Sequence, residues 1–179
     1  MTNEYLIAGF GGQGLLFAGK FLVNKGMMEG KEVSWLPSYG PEMRGGTANC
    51  SVIISDDPVG SPIVSKPNVL MVMNLPSLDK YENDVKAGGK IFVDSSLIGR
   101  RVERSDVDAY YVPATQLASD NGLSGLANMI LAGKILKELG EFEDEEAVAA
   151  SLKKVVSVKH PEMYEKNLTA LKMGRDYQA

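Results

Sequence analysis

An apolar run, Tyr5-Leu6-Ile7-Ala8, leads into Gly9-Phe10-Gly11-Gly12-Gln13-Gly14, and a second run, Leu15-Leu16-Phe17-Ala18, leads out. That order is the layout of a buried strand, a tight glycine turn and a helix. The N–H groups at such a helix start are unpaired and lie at the positive end of the helix dipole. An anion fits there: a phosphate, a carboxylate, or an acidic group of another protein.

The rest of the chain repeats the alternation. The periodicity predicts strands near Glu4–Gly9, Lys31–Leu36, Thr47–Ile54, Val69–Asn74, Lys90–Asp94 and Asp108–Val112, with Pro37 stopping the second. A short edge segment is expected at Ile63-Val64, within a turn-rich connection. Helices are predicted from Gln13 to Glu29, from an opening at Leu75-Pro76-Ser77 to about Val85, and from Thr115 to Ser119. Three more follow: Gly125 to Leu139 with Ser124 as its cap, Glu143 to Val155, and Glu162 to Arg175. Gly19, in mid-helix, costs about 1 kcal/mol against alanine, so close packing of that helix on the sheet is expected. Gly30 stands where a left-handed cap would end it. Met27, Met28, Met71 and Met73 read as core, and Cys50 as a small strand residue. Residues 1–179 therefore read as a single domain, a three-layer α/β/α sandwich on a mainly parallel, Rossmann-like sheet. In such folds the binding edge lies at the C-terminal ends of the strands, toward which the glycine loop, the loop that begins at Ser38, and Asn74 or Asp94 would open.

Composition excludes several chemistries. The net charge of −4, with both signs interspersed, offers no basic face for nucleic acid. No apolar run approaches the length of a membrane span. Met1-Thr2-Asn3-Glu4 lacks a basic region, so no signal peptide is expected and a cytoplasmic location follows. Cys50 is the only cysteine and His160 the only histidine. One chain so equipped holds no iron–sulfur cluster, disulfide or Cys/His zinc site by itself. Any electron carriers must come from elsewhere.

Gly9, Gly11 and Gly14 satisfy the dinucleotide fingerprint, which also wants an acid at the tip of the second strand to hold a ribose. The predicted strand ends Trp35-Leu36-Pro37-Ser38, and Glu29 and Glu32 lie before it or at its start. A second stretch is as unusual as the first: Ser38-Tyr39-Gly40-Pro41-Glu42-Met43-Arg44-Gly45-Gly46. Aromatic, methionine and arginine residues crowd it, the types enriched at protein interfaces. Arginine also pairs well with phosphate or carboxylate. An exposed surface loop with an ordinary Glu42–Arg44 ion pair is the plainer reading. Arg100-Arg101 and Arg104 read as a solvated basic face, and Asp94 as the cap of a turn.

The Ala8–Gly14 loop, the Ser38–Gly46 stretch leading into Ala48, and Asn128-Met129-Ile130-Leu131 in a late helix together resemble the gamma subunit of 2-oxoacid:ferredoxin oxidoreductases, the pyruvate/ketoisovalerate oxidoreductase gamma family. The Ser38-Tyr39-Gly40-Pro41-Glu42 form is nearer the 2-oxoglutarate and 2-oxoisovalerate types than the pyruvate type. The resemblance implies oxidative decarboxylation of a 2-oxoacid with coenzyme A, giving acyl-CoA, CO2 and reduced ferredoxin. It puts thiamine diphosphate, Mg and the iron–sulfur clusters in alpha, beta and delta partner subunits, with no cofactor held tightly by this chain and no catalytic residue in this chain alone. Gly9, Gly11, Gly12, Gln13 and Gly14, with Ser38, Tyr39, Gly40, Pro41, Glu42, Arg44, Gly45 and Gly46, are then expected to face coenzyme A or a partner subunit. A pure assembly subunit and a standalone NAD(P)-binding enzyme are the alternatives. Stripped of partners, such a chain would expose broad faces and self-associate.

Overall fold

The computed structural model describes residues 1–39 and 47–178. In chain order the elements are β1 (Thr2–Phe10), α1 (Leu15–Met28), β2 (Glu32–Tyr39), β3 (Thr47–Ser55), β4 (Val69–Val72), α2 (Leu75–Tyr81), β5 (Lys90–Asp94), β6 (Asp108–Val112), α3 (Ala114–Asp120), α4 (Ala127–Glu138), α5 (Glu145–Val155) and α6 (Pro161–Asp176). The strands form one sheet in the order β2-β3-β1-β4-β5-β6. β1, β4, β5 and β6 pair in parallel, and β3 runs antiparallel to both β1 and β2. β2 therefore shares the direction of β1, and β3 alone is reversed. The expectation of a mainly parallel sheet holds, with one reversed strand let in beside the first.

The uniform apolar run Val69–Val72 is buried throughout, as a central strand covered on both faces requires. On one face Tyr5, Ile7, Met71 and Phe92 meet Phe21 and Leu22 of α1 and Ile130 of α4. On the other face Leu6, Leu70, Val72, Ile91 and Val93 meet Leu78 of α2, with Val85 and Ile98. Each such side chain contributes about 1.5–3 kcal/mol when fully buried. The layers are unequal. α1 and α4 lie against the first face and are backed by α5 and α6, whereas α2 is the helix on the second.

Several expectations need correction. Pro37 does not stop β2, which runs on to Tyr39 with Pro37 opposite Cys50. β2 is an edge strand, so an absent N–H on its outer side breaks no ladder. No strand forms at Ile63-Val64; Val64 tucks in while Ile63 stands in solvent. Ser124 does not cap α4, whose N-cap is Leu126, without a side-chain bond. Met27 and Met28 lie at the exposed end of α1, although Met71 and Met73 are core. Arg100 and Arg104 are paired rather than simply solvated: Arg100 bridges Asp79 and the buried Glu82, and Arg104 holds Asp106.

Register settles what shares an edge. Phe10 lies opposite Thr47, and Tyr39 opposite Ala48. The ends of β1, β2, β4, β5 and β6 and the start of β3 thus gather along one rim, where the glycine loop emerges.

Candidate functional site

Gly12 and Gly14 adopt φ values of 91° and 74°, in the left-handed region that favours glycine. Gly14 is the N-cap of α1 and offers no side chain to its first turn, so the first N–H groups of α1 are left for another partner. Gln13 turns back across the loop. Its Oε1 accepts from the Phe10 N–H at 2.7 Å, and its Nε2 donates to the Met73 carbonyl at 3.0 Å. A Cβ on Gly9 would sit 2.4 Å from that Oε1, so glycine there makes room for the amide. The Gln13 carboxamide thereby bridges the ends of β1 and β4. This is the seam where the chain order reverses, the usual ligand crevice of a doubly wound sheet.

α4 grips the loop from the other side. Asn128, its second residue and almost fully buried, donates from Nδ2 to the Gly14 carbonyl at 2.9 Å. Among the described residues its Oδ1 has no hydrogen-bond partner, at a cost of about 1–3 kcal/mol. Between the two helix starts lies an open pocket of about 330 Å³. Gly12, Gln13 and Met73 line one bank, Ser124, Gly125 and Ala127 the other, and Leu97, Thr115, Ala118 and Ser119 close the end. Among the described residues no charged side chain lines it, and α1 and α4 both begin at its wall, bringing helix termini and backbone N–H groups to it.

Of the predicted site residues, Gly9, Gly11, Gly12, Gln13 and Gly14 form this loop. Ser38 and Tyr39 end β2 on the same rim, two strands from the loop, about 10 Å away. Gly40, Pro41, Glu42, Arg44, Gly45 and Gly46, with Met43, lie outside the described residues; their flanks, Tyr39 and Thr47, are on the rim. Asn74 caps α2 through the Ser77 N–H at 2.9 Å. Asp94 is buried and accepts from the Thr115 hydroxyl at 2.6 Å and the Ser96 N–H at 3.1 Å, the capping role expected of it. Glu29 pairs with Lys25 at the far end of α1, and Glu32 opens β2, so neither reaches the rim. His160 is exposed beside Glu162. Burial pushes the Cys50 thiol up to about 12. Among the described residues no group of three or more His, Cys, Asp or Glu could hold a metal ion.

Sequence reasoning found the glycine loop but not its opposite bank. Asn128 entered only as part of a resemblance, and Thr115, Ser119 and Ser124 not at all as site residues. A buried polar residue in the apolar run Leu126–Leu131 was the available signal for Asn128.

The sequence matches the pyruvate ferredoxin/flavodoxin oxidoreductase family over residues 4–177. The chain belongs to that family. Among its relatives, ketoisovalerate oxidoreductase subunit VorA of Methanothermobacter thermautotrophicus is 40% identical over 172 residues, 96% of this chain and 35% of VorA. The chain thus spans about a third of that relative. It spans nearly all of another: 2-oxoglutarate synthase subunit KorC of Methanocaldococcus jannaschii is 36% identical over 177 residues, 97% of this chain and 92% of KorC. The crystal structure of a keto/oxoacid ferredoxin oxidoreductase gamma subunit from Geobacter sulfurreducens superposes with a TM-score of 0.80 at 28% identity, covering 97% of this chain and 96% of that one. The expected family and α/β fold are both met.

Proposed function

We propose that the chain is the gamma subunit of a 2-oxoacid:ferredoxin oxidoreductase, the enzyme that converts a 2-oxoacid and coenzyme A to acyl-CoA, CO2 and reduced ferredoxin. The family match across residues 4–177 carries this reading. The substrate class is 2-oxoglutarate or 2-oxoisovalerate, in keeping with the KorC and VorA relatives. Alpha, beta and delta subunits are the partners, and ferredoxin is the acceptor. Thiamine diphosphate, Mg and the iron–sulfur clusters in those partners supply the carbanion and electron-transfer chemistry. The location is cytoplasmic; among the described residues no helix is long and apolar enough to cross a membrane.

This chain's own part is to bind and orient coenzyme A. A phosphate group of coenzyme A meets the free N–H groups of the glycine loop and the Arg44 guanidinium, with Glu42 orienting Arg44. Two helix starts converging on the pocket support an anionic ligand there. The test is Arg44→Ala in the reconstituted complex. The KM for coenzyme A should rise about ten- to a hundredfold, the worth of one charge-assisted hydrogen bond, while the KM for the 2-oxoacid is spared. An unchanged KM with assembly intact would sink the coenzyme A reading.

A second reading has its own observation. Phe10 ends β1, and Leu75 and Leu97 follow β4 and β5; all three are partly exposed on the same rim, an apolar fringe suited to a partner subunit. In that case Arg44→Ala would stop assembly instead. A standalone dinucleotide enzyme has less support. Gln13 already fills the seam, and β2 ends Ser38-Tyr39 with no acid for a ribose.

A further inference from the structure

We infer that Asn128 is a positioning residue for the glycine-loop site: it fixes the distance between the two banks of the pocket. The inference rests on the reading that this site faces coenzyme A. The Gly14 carbonyl accepts from the Ala18 N–H at 3.1 Å, the first intrahelical bond of α1, and from Asn128 Nδ2 at 2.9 Å. One carbonyl oxygen thus anchors the first turn of α1 and the first turn of α4, 114 positions apart in the chain. The pocket lies between those turns, with Gly12 and Gln13 on one bank and Gly125 and Ala127 on the other.

Fold stability alone does not call for an amide here. Asn128 Oδ1 is buried without a partner among the described residues, and an apolar side chain of similar size would avoid that penalty. The tie also constrains its partner. A Cβ on Gly14 would lie 2.5 Å from Asn128 Nδ2 and 2.9 Å from its Cγ. Gly14 is therefore required by its left-handed backbone and by the amide that reaches it. What the pair achieves is geometric. The free N–H groups that begin both helices are held to one separation, and an anion bridging them meets a preorganised site.

The test uses the full complex with its partner subunits, and compares Asn128→Ala with Asn128→Leu. Leucine keeps the branched shape of the side chain but has no donor for the Gly14 carbonyl, so both variants lose the tie. Each should raise the KM for coenzyme A about three- to tenfold, the worth of one neutral hydrogen bond. The kcat at saturating coenzyme A and the KM for the 2-oxoacid should stay within about twofold, because the tie acts on the pocket alone. A purely structural role would lower the thermal midpoint without moving the coenzyme A KM, or would change every parameter together; either result overturns the inference. Should the alanine variant fail to assemble, the leucine variant decides by the same readout. Arg44→Ala is measured in parallel. If it raises the coenzyme A KM and neither Asn128 variant does, the Asn128 inference alone fails. If none of the three moves that KM, the coenzyme A reading fails and this inference with it.

Discussion

Gly19 shows how one absent side chain seats a helix on a sheet. A Cβ there would lie 2.7 Å from Cys50 Sγ and 2.9 Å from Trp35 Nε1. Alanine is the better helix residue by about 1 kcal/mol, yet the overpacking term is about 1–3 kcal/mol and acts against it. Gly19→Ala should therefore destabilise the chain on balance, by about 1 kcal/mol in urea unfolding. The sequence reading anticipated the close approach from a glycine in mid-helix, but the residues it approaches come from β2 and β3 and are not visible locally. Cys50, at the same contact, makes a second prediction. Its folded pKa of about 12 stands above the ordinary 9.0, so the folded thiol keeps its proton where the unfolded one loses it. The unfolded state then binds fewer protons between those values, and stability falls as pH rises through that window. The thiol contribution is complete below pH 9. Alkylation by iodoacetamide at pH 8 should be slow in the folded chain and fast in urea; rapid labelling without denaturant would contradict the burial of this thiol.

Among elements, the crossing of α4 and α6 is the tightest. A Cβ on Gly133 would fall 1.9 Å from the Leu171 carbonyl oxygen, and one on Gly174 would fall 1.8 Å from that of Ile130. Backbone meets backbone at both points, so no side chain can give way. Gly133→Ala and Gly174→Ala should each cost about 3 kcal/mol or more, and amide exchange should show α6 opening ahead of the sheet. Equal protection of α6 in variant and parent would refute this. Periodicity placed these helices to within a few residues, although α4 is buried on every side from Ala127 to Leu136 and α6 buries Asn167, Ala170, Leu171 and Gly174. Their ends were less legible. Leu126, not Ser124, stands at the N-cap of α4, since Gly125 at φ 86° turns the chain before the helix begins. The reach of β2 past Pro37 was hidden for a similar reason. A proline ends a central strand but not an edge one, and edge position is a property of the assembled sheet.

At the scale of the whole molecule, the layered α/β class followed from the alternation of apolar runs with helical periods. The topology did not, because nothing local announces that β3 inserts between β1 and β2. The same limit governs the site. The glycine loop is contiguous and was legible, while its opposite bank arrives from α3 and α4 more than a hundred residues later and joins it only through the fold. One expectation belongs to the molecule entire. Purified alone, the chain should be colourless and form no acyl-CoA, and adding the partner subunits should restore turnover. An iron–sulfur absorption band from the isolated chain would contradict the proposed division of labour. The insertion of β3 carries one more consequence. Residues 40–46 leave from Tyr39 and return at Thr47, next to the rung that joins Tyr39 to Ala48. Neighbouring strands hold such a rung at about 5 Å whatever is spliced between them. The ladder is therefore a socket: it holds the two ends of residues 40–46 side by side, whatever sequence joins them.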